Sequence, residues 1–131
     1  MRYMFLVYTI DGERSPEEMA EVRAGHHAVM EETMRRGIFH GASPLQPVAT
    51  ATTVRQENGK TLVTDGPFAE TKEQLGGYYI LDCKDLDEAI EWAKKIPTKC
   101  HGVQGSIEVR PLYDISEMQQ NIRESLVAHH A

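Results

Sequence analysis

The distribution of hydrophobic and polar residues predicts alternating strands and helices. Residues 3–10 are rich in aromatic and branched side chains and end at an Asp-Gly pair, which predicts a first strand, apolar on both faces and central in its sheet. Ser15 then caps a predicted helix, Pro16 occupies its first position, and Gly37 ends it. Three- and four-residue steps give this helix an apolar stripe of Met19, Val22, Val29, Met30 and Thr33, with His26 on the same side.

The middle of the chain has the pattern of strands and a hairpin. Residues 38–48 are predicted to begin as a second strand and to end as an irregular edge, because glycine and two prolines interrupt them. Residues 50–56 and 60–64 are β-rich arms joined through Asn58 and Gly59, a pair that tolerates the positive φ angles of a type I′ turn. A loop over residues 64–77 follows, and residues 78–83 are predicted to form the next strand.

The last third of the chain predicts a second helix, a final strand and a tail. Asp85 is a predicted N-cap and Pro97 ends the helix, whose inward face is Leu86, Ala89, Ile90, Ala93 and Ile96. Residues 105–112 alternate apolar and charged side chains, as in a half-buried strand. Residues 115–128 form a weaker amphipathic segment that would either pack across a dimer or stay mobile.

The order of these elements predicts an α+β fold. The predicted order is strand, helix, strand, hairpin, strand, helix, strand. This order resembles a ferredoxin-like domain with an inserted β-hairpin, in which two helices cover one face of an antiparallel sheet. The other sheet face then needs a partner, and we expect a second copy of the chain. The domain is predicted to span residues 1–112, and residues 113–131 form a C-terminal helical tail.

Composition narrows the class of protein. The 131 residues suit one domain with its own core. A net charge of -6, with 14 Lys and Arg residues that form no basic block, argues against a nucleic-acid partner. The apolar run of residues 4–7 is too short to cross a membrane, and two cysteines without a CxxC or zinc spacing favour free thiols. We therefore expect a cytoplasmic protein without a membrane partner.

The loop carries a family resemblance. Its sequence from Asp65 to Gly77, DGPFAETKEQLGG, resembles the signature of the DGPF-type branch of the YCII-related proteins, and residues 50–55, TATTVR, fit the same branch. The resemblance covers residues 1 to about 112. It implies a ferredoxin-like fold that pairs into a dimeric α/β barrel.

A second part of the resemblance concerns His26. YCII-type proteins have a helical histidine eleven residues before the glycine that ends the first helix, and His26 stands at that distance from Gly37. In that family the histidine is proposed to work with an aspartate just before the proline that follows the second helix. Here that position holds Ile96, before Pro97, so the resemblance does not supply the carboxylate.

His26 and Asp65 are the predicted catalytic residues. An imidazole titrates nearest to neutral pH and transfers protons without a metal, so His26 is predicted to act as a general base or acid. Its alternative role is that of a hydrogen-bonded core or interface histidine. Asp65 either accepts hydrogen bonds from turn amides or replaces the missing aspartate and orients His26.

Five further residues are predicted to contact a small-molecule ligand: Phe68, Glu70, Lys72, Ser43 and Tyr78. The charged members have the alternative of being solvated surface residues, and Phe68 has the alternative of filling the core or a dimer interface. No metal site is predicted, because the histidine and cysteine spacings lack an i, i+4 ligand pair. No phosphate loop or dinucleotide fingerprint is present, and we expect no cofactor.

Three classes of function remain open at this point. The first is a cofactor-free enzyme of isomerase or lyase type that acts on a small organic compound. The second is a ligand-binding or regulatory module, since the resemblance to DGPF-type proteins implies a link to sigma factors of the stress response. The third is a structural dimerisation domain.

Overall fold

The computed structural model describes residues 1–130 and has an α+β architecture. Its strands are β1 (Arg2–Ile10), β2 (Phe39–Pro44), β3 (Thr52–Glu57), β4 (Lys60–Asp65), β5 (Glu73–Asp82) and β6 (Ser106–Pro111). Its helices are α1 (Pro16–Arg35), α2 (Leu86–Ala93) and α3 (Ser116–His130), with a short 3₁₀ turn at Val48–Thr50.

Four strands form the main sheet in the order β2-β5-β1-β6, and every neighbouring pair is antiparallel. This order places the first strand next to the last one and is consistent with a ferredoxin-like domain. The register pairs Phe5 of β1 with Tyr79 of β5 and with Val109 of β6. Residues at alternate positions of β1 and β5 are therefore buried on one face, while the intervening residues are only half-buried.

The helices pack against the buried sheet face. Phe5, Leu81, Val29 of α1 and Trp92 of α2 belong to one hydrophobic core. The Ser15 side chain accepts a hydrogen bond from the Glu18 amide and the Asp85 side chain accepts one from the Glu88 amide, which confirms both predicted N-caps.

Several predicted core positions were wrong. Met19 on α1, and Leu86 and Ile90 on α2, are exposed, whereas Trp92 is buried with Ala89 and Ile96. The inward face of α2 is thus rotated relative to the predicted one. The indole of Trp92 also carries two cations on its faces, because the Arg36 guanidinium and the Lys95 ammonium lie 5.2 and 4.7 Å from its ring centroid.

β5 begins earlier than the sequence predicts. It includes Glu73, Gln74 and Leu75 and both glycines of the motif, so the loop is confined to residues 66–72. The β3 and β4 strands pair with each other as a separate two-stranded sheet, and Asn58 and Gly59 between them have φ angles of 51° and 76°. Both residues have the positive φ angles that an Asn-Gly pair tolerates.

α3 lies on the surface, with its apolar side chains exposed. These are Met118, Ile122, Leu126 and Val127, preceded by Tyr113 and Ile115. None of the helices formed by residues 1–130 is both long and apolar enough to cross a membrane.

Candidate functional site

His26 of α1 and Tyr79 of β5 form a hydrogen-bonded pair between the helix and the sheet. The Nδ1 atom of His26 lies 2.6 Å from the Tyr79 hydroxyl oxygen. The two rings are stacked, with centroids 5.8 Å apart and an interplanar angle of 18°. Tyr79 is only 4% exposed, and its strand neighbours are Phe5 of β1 and Ala42 of β2. His26 is half-buried and is the member that solvent reaches.

The surroundings keep both members of the pair uncharged at neutral pH. Burial lowers the pKa of His26, and the nearby positive charge of Arg14 lowers this pKa further. Burial raises the pKa of Tyr79 to about 12. At pH 7 the pair is therefore a neutral imidazole hydrogen-bonded to a neutral phenol.

A neutral imidazole and a phenol form this hydrogen bond in two ways. If the hydroxyl donates to Nδ1, the ring hydrogen is on Nε2 and His26 presents a donor. If Nδ1–H donates to the hydroxyl oxygen, Nε2 has a free lone pair and His26 presents a base. When Nε2 takes up a proton, both nitrogens carry hydrogen, so Nδ1–H must then donate to Tyr79. The phenol thus orients the imidazole. In many acid/base sites a carboxylate has this role.

Arg14 supplies a positive charge near this pair. The residue lies in the connection between β1 and α1, and its Nε donates a hydrogen bond to the Lys99 carbonyl oxygen at 2.8 Å. That bond fixes the guanidinium and leaves its two terminal nitrogens available to an anion. The positive charge of Arg14 also lowers the pKa of His26, after the larger effect of burial.

Ile96 and Pro97 explain why His26 has no aspartate partner in this chain. Gly25, adjacent to His26, packs so closely on Pro97 that a Cβ added at Gly25 would lie 3.0 Å from the proline Cγ. The segment after α2 therefore approaches α1 beside the histidine. Ile96 is 5% exposed and belongs to the core, so an apolar side chain occupies the position of the expected carboxylate. Within residues 1–130, no carboxylate is hydrogen-bonded to His26.

The signature loop is attached to the hairpin, not to His26. The Gly66 amide donates to the Ala51 carbonyl oxygen at 2.8 Å, and the Thr53 hydroxyl donates to the Gly66 carbonyl oxygen at 2.8 Å. Arg55 donates to the Phe68 carbonyl oxygen at 3.1 Å, and its guanidinium lies 5.0 Å from the Phe68 ring centroid. The two stretches of sequence that carried the resemblance therefore contact each other.

Asp65 and Phe68 lie at the surface of this hairpin unit. Asp65 ends β4 opposite Thr52 and is exposed. Phe68 is 74% exposed, so the alternative that it fills the core of its own chain is wrong. The predicted pairing of Asp65 with His26 does not occur among the hydrogen bonds of the described chain, and it stays a prediction for an assembly of two copies.

The remaining predicted ligand residues lie in different places. Ser43 of β2 is paired with Tyr78 of β5, on the sheet face opposite to that of Tyr79. Glu70 is exposed in the loop. Lys72 lines a cavity of about 690 Å³ at the end of the sheet where β1 ends and β6 begins. His26 does not line this cavity, so the structure does not place all the predicted residues in a single site.

Sequence reasoning missed Tyr79 and Arg14. Both Tyr78 and Tyr79 lie in an apolar strand. The two-residue periodicity of a strand shows only that their side chains point to opposite faces of the sheet. Tyr79 could have been preferred because its face continues with the apolar Leu81 and Cys83, whereas the face of Tyr78 includes Asp82. No sequence signal marks Arg14, because its position depends on the distant Lys99 carbonyl group.

Fold and site together define a class of small α+β proteins that carry a helical histidine against an antiparallel sheet. The model of the YCII-related domain family matches residues 1–116. An uncharacterized protein, R00369 of Rhizobium meliloti (strain 1021), is 40% identical over 115 residues, which are 86% of this chain and 92% of the relative. The chain belongs to the YCII-related family, as the sequence motifs predicted.

Proposed function

We propose that this protein is a cofactor-free acid/base enzyme of isomerase or lyase type, in which His26 transfers a proton to and from a small organic acid. The observation that carries the proposal is the 2.6 Å contact between His26 Nδ1 and the Tyr79 hydroxyl oxygen. It fixes one nitrogen of a half-buried imidazole and leaves the other, Nε2, for a substrate.

The proposed step is the removal of a proton from carbon next to a carbonyl group. Nε2 of neutral His26 takes the proton, the C–H bond breaks, and its electron pair forms an enolate. The imidazolium keeps its Nδ1–H bond to Tyr79. Because burial and Arg14 disfavour the charged ring, the imidazolium returns the proton readily. In an isomerisation the proton goes to the γ carbon of a conjugated enolate, so that a carbon–carbon double bond shifts. In an elimination it goes to a leaving group on the β carbon, whose bond to carbon breaks as the double bond forms.

Arg14 supports a substrate with a carboxylate. Its terminal guanidinium nitrogens would pair with the carboxylate oxygens and so hold the adjacent carbon near His26. Arg14→Gln is therefore expected to raise KM more than it lowers kcat.

The experiment that tests this function is solvent deuterium exchange. The protein is incubated in D₂O with a panel of small 2-oxo and 3-oxo acids, and proton NMR follows the loss of the C–H signals beside the carbonyl group. We expect catalysed exchange for at least one acid, and a reduction of about a hundredfold or more in His26→Gln, since a positioned acid/base group contributes about 10² to 10⁴ in rate.

His27→Gln is the matched control, because His27 is the exposed neighbour on the same helix. Exchange that is equally fast in wild-type protein and His26→Gln would contradict the proposal. Absence of exchange with every acid, combined with binding of one of them, would favour a non-catalytic module.

The predictions of a dimer, of the DGPF-type branch, of a cytoplasmic location and of the remaining site residues are part of the same proposal. The open sheet face would pair with a second copy to form a dimeric α/β barrel, in a protein of the DGPF-type branch located in the cytoplasm. Ligand contacts by Phe68, Glu70, Ser43 and Tyr78, and a role for Asp65 beside His26, would then depend on how the hairpin of one copy reaches the other.

The alternative is a ligand-binding or regulatory module linked to sigma-factor signalling. The observation that favours it is the exposed apolar side of α3, together with Tyr113, which is 97% exposed. An apolar helix face of this kind is typical of a surface that contacts another protein. Ile122→Glu would weaken such an association without affecting deuterium exchange.

A further inference from the structure

A cavity of about 690 Å³ lies away from His26, at the end of the sheet where β1 ends and β5 and β6 begin. Ligand-binding clefts in proteins commonly measure about 300 to 1,000 Å³, so this volume suits a small molecule. The last residues of the signature loop, Thr71 and Lys72, form part of its wall. The catalytic proposal for His26 uses none of these residues.

The polar side of the cavity carries both signs of charge. The Ser106 hydroxyl donates to the Glu73 carboxylate, with distances of 3.0 and 3.2 Å to its two oxygens. This contact holds the carboxylate in place without neutralising it. Glu108 adds a second acid, whose cationic neighbour Arg110 is 3.9 Å away. Lys72 is the cation of the wall, and in the part of the chain that the structure describes it forms no ion pair.

Another part of the wall is apolar. Tyr8 and Ile10 contribute from β1 and Ile107 from β6, and all three are half-buried. A ligand that matches these surfaces needs an ammonium group for Glu73, a carboxylate for Lys72 and an apolar portion for Tyr8 and the isoleucines. A simple anion would meet two carboxylates, and a simple amine would leave Lys72 unpaired.

We propose that this cavity binds a small zwitterion with an apolar side chain, of the amino acid class, through Glu73 and Lys72. The ligand's ammonium group contacts the Glu73 carboxylate that Ser106 holds, its carboxylate contacts Lys72, and its side chain packs on Tyr8, Ile10 and Ile107. The site is separate from the proposed catalytic histidine, so it gives the protein a second, ligand-sensing surface next to its signature loop.

Calorimetric titration and ¹H–¹⁵N NMR with three matched probes test this proposal. L-leucine has both charges, 4-methylpentanoate lacks the ammonium group, and 3-methylbutylamine lacks the carboxylate. We expect saturable binding of L-leucine, with amide shifts at Tyr8 and at residues 103–107, and binding at least about tenfold weaker for either of the other probes.

Glu73→Gln and Lys72→Met are each expected to weaken L-leucine binding about tenfold or more, because each removes one charge contact. Glu57→Gln and Lys60→Met are the matched controls, since this pair lies at the exposed turn of the hairpin. Unchanged far-ultraviolet circular dichroism verifies that the variants fold. The proposal is overturned if L-leucine gives no saturable shifts, if 3-methylbutylamine binds as tightly, or if the two cavity variants bind like the controls.

Discussion

His26 shows how one residue's role depends on its contacts. On the sequence alone it is a histidine on an apolar helix stripe, and such residues are commonly satisfied by a core partner. The structure gives it such a partner in Tyr79, yet only one of its two nitrogens is used. Because the phenol is buried and the imidazole is half-buried, the proposed proton transfer depends on the second nitrogen of His26, Nε2.

The lowered pKa of His26 predicts how stability depends on pH. An unfolded histidine has a pKa of about 6.5, and the folded value is lower, so below pH 6.5 the unfolded chain binds more protons than the folded one. The contribution of His26 to the free energy of unfolding is therefore constant above the unfolded pKa and decreases as the pH falls towards the folded one.

Urea unfolding at a series of pH values measures this effect. Between pH 7 and pH 5, about the range in which a histidine titrates, the wild-type protein should lose more stability than His26→Gln. His27→Gln should behave like the wild type, because it leaves the buried imidazole unchanged. Parallel curves for wild-type protein and His26→Gln would show that His26 is not held neutral by the fold.

At the scale of single elements, hydrophobic periodicity and capping residues predicted the order of the elements better than they predicted which side chains are buried. The order of the strands and helices, the caps at Ser15 and Asp85 and the Asn58-Gly59 turn follow from local chemistry. The inward face of α2 does not follow from local chemistry. Leu86 and Ile90, which are exposed, fit a helical period as well as Ala89 and Trp92, which are buried. Which face is buried is decided by tertiary packing, and the large indole of Trp92 takes the core position.

The start of β5 was missed for a related reason. Glu73, Gln74 and the two glycines have low intrinsic preference for strands, so residues 73–77 resemble a loop. Their pairing with β1 and β2 overrides that preference. The glycine at position 77 allows a close backbone approach, since Gly77 lies against the carbonyl group of Ser43.

Gly77→Ala is expected to destabilise the protein. A Cβ at this position would lie 2.8 Å from the Ser43 carbonyl oxygen and 3.2 Å from the Pro44 Cα, and both are backbone atoms. The strands would have to move apart, at a cost of about 1 to 3 kcal/mol in the free energy of unfolding. Gly41→Ala, on the neighbouring strand, meets no atom within 4 Å and is the control. Equal unfolding midpoints for the two variants would disprove this explanation of Gly77.

The whole molecule has one covered and one open sheet face. Met4, Leu6, Tyr78 and Ile80 occupy the open face at alternate positions of β1 and β5, where they are half-buried. Apolar side chains in the middle of a sheet are normally covered. That β1 is apolar on both faces was already visible in the sequence, but the partner that covers its second face is not encoded in any local pattern.

Pairing of two open faces predicts a dimer in solution. Native mass spectrometry or light scattering at micromolar concentration should give twice the mass of the chain. Leu6→Glu places a charge in the centre of the open face and should give monomers, whereas Ala28→Glu on the exposed side of α1 should not. A monomeric wild-type protein, or a Leu6→Glu variant that remains dimeric, would require another explanation for this face.

The central claim is that Tyr79 orients His26, while burial and Arg14 keep its imidazole neutral. The most direct measurement is an NMR titration of the His26 ring, using ¹⁵N-labelled imidazole, in wild-type protein, Tyr79→Phe and the opposite-face control Tyr78→Phe. We predict a wild-type pKa below the ordinary value of about 6.5 and ¹⁵N ring shifts that change in Tyr79→Phe but not in Tyr78→Phe. A pKa at or above 6.5, or ring shifts that do not respond to the loss of the Tyr79 hydroxyl, would contradict the account.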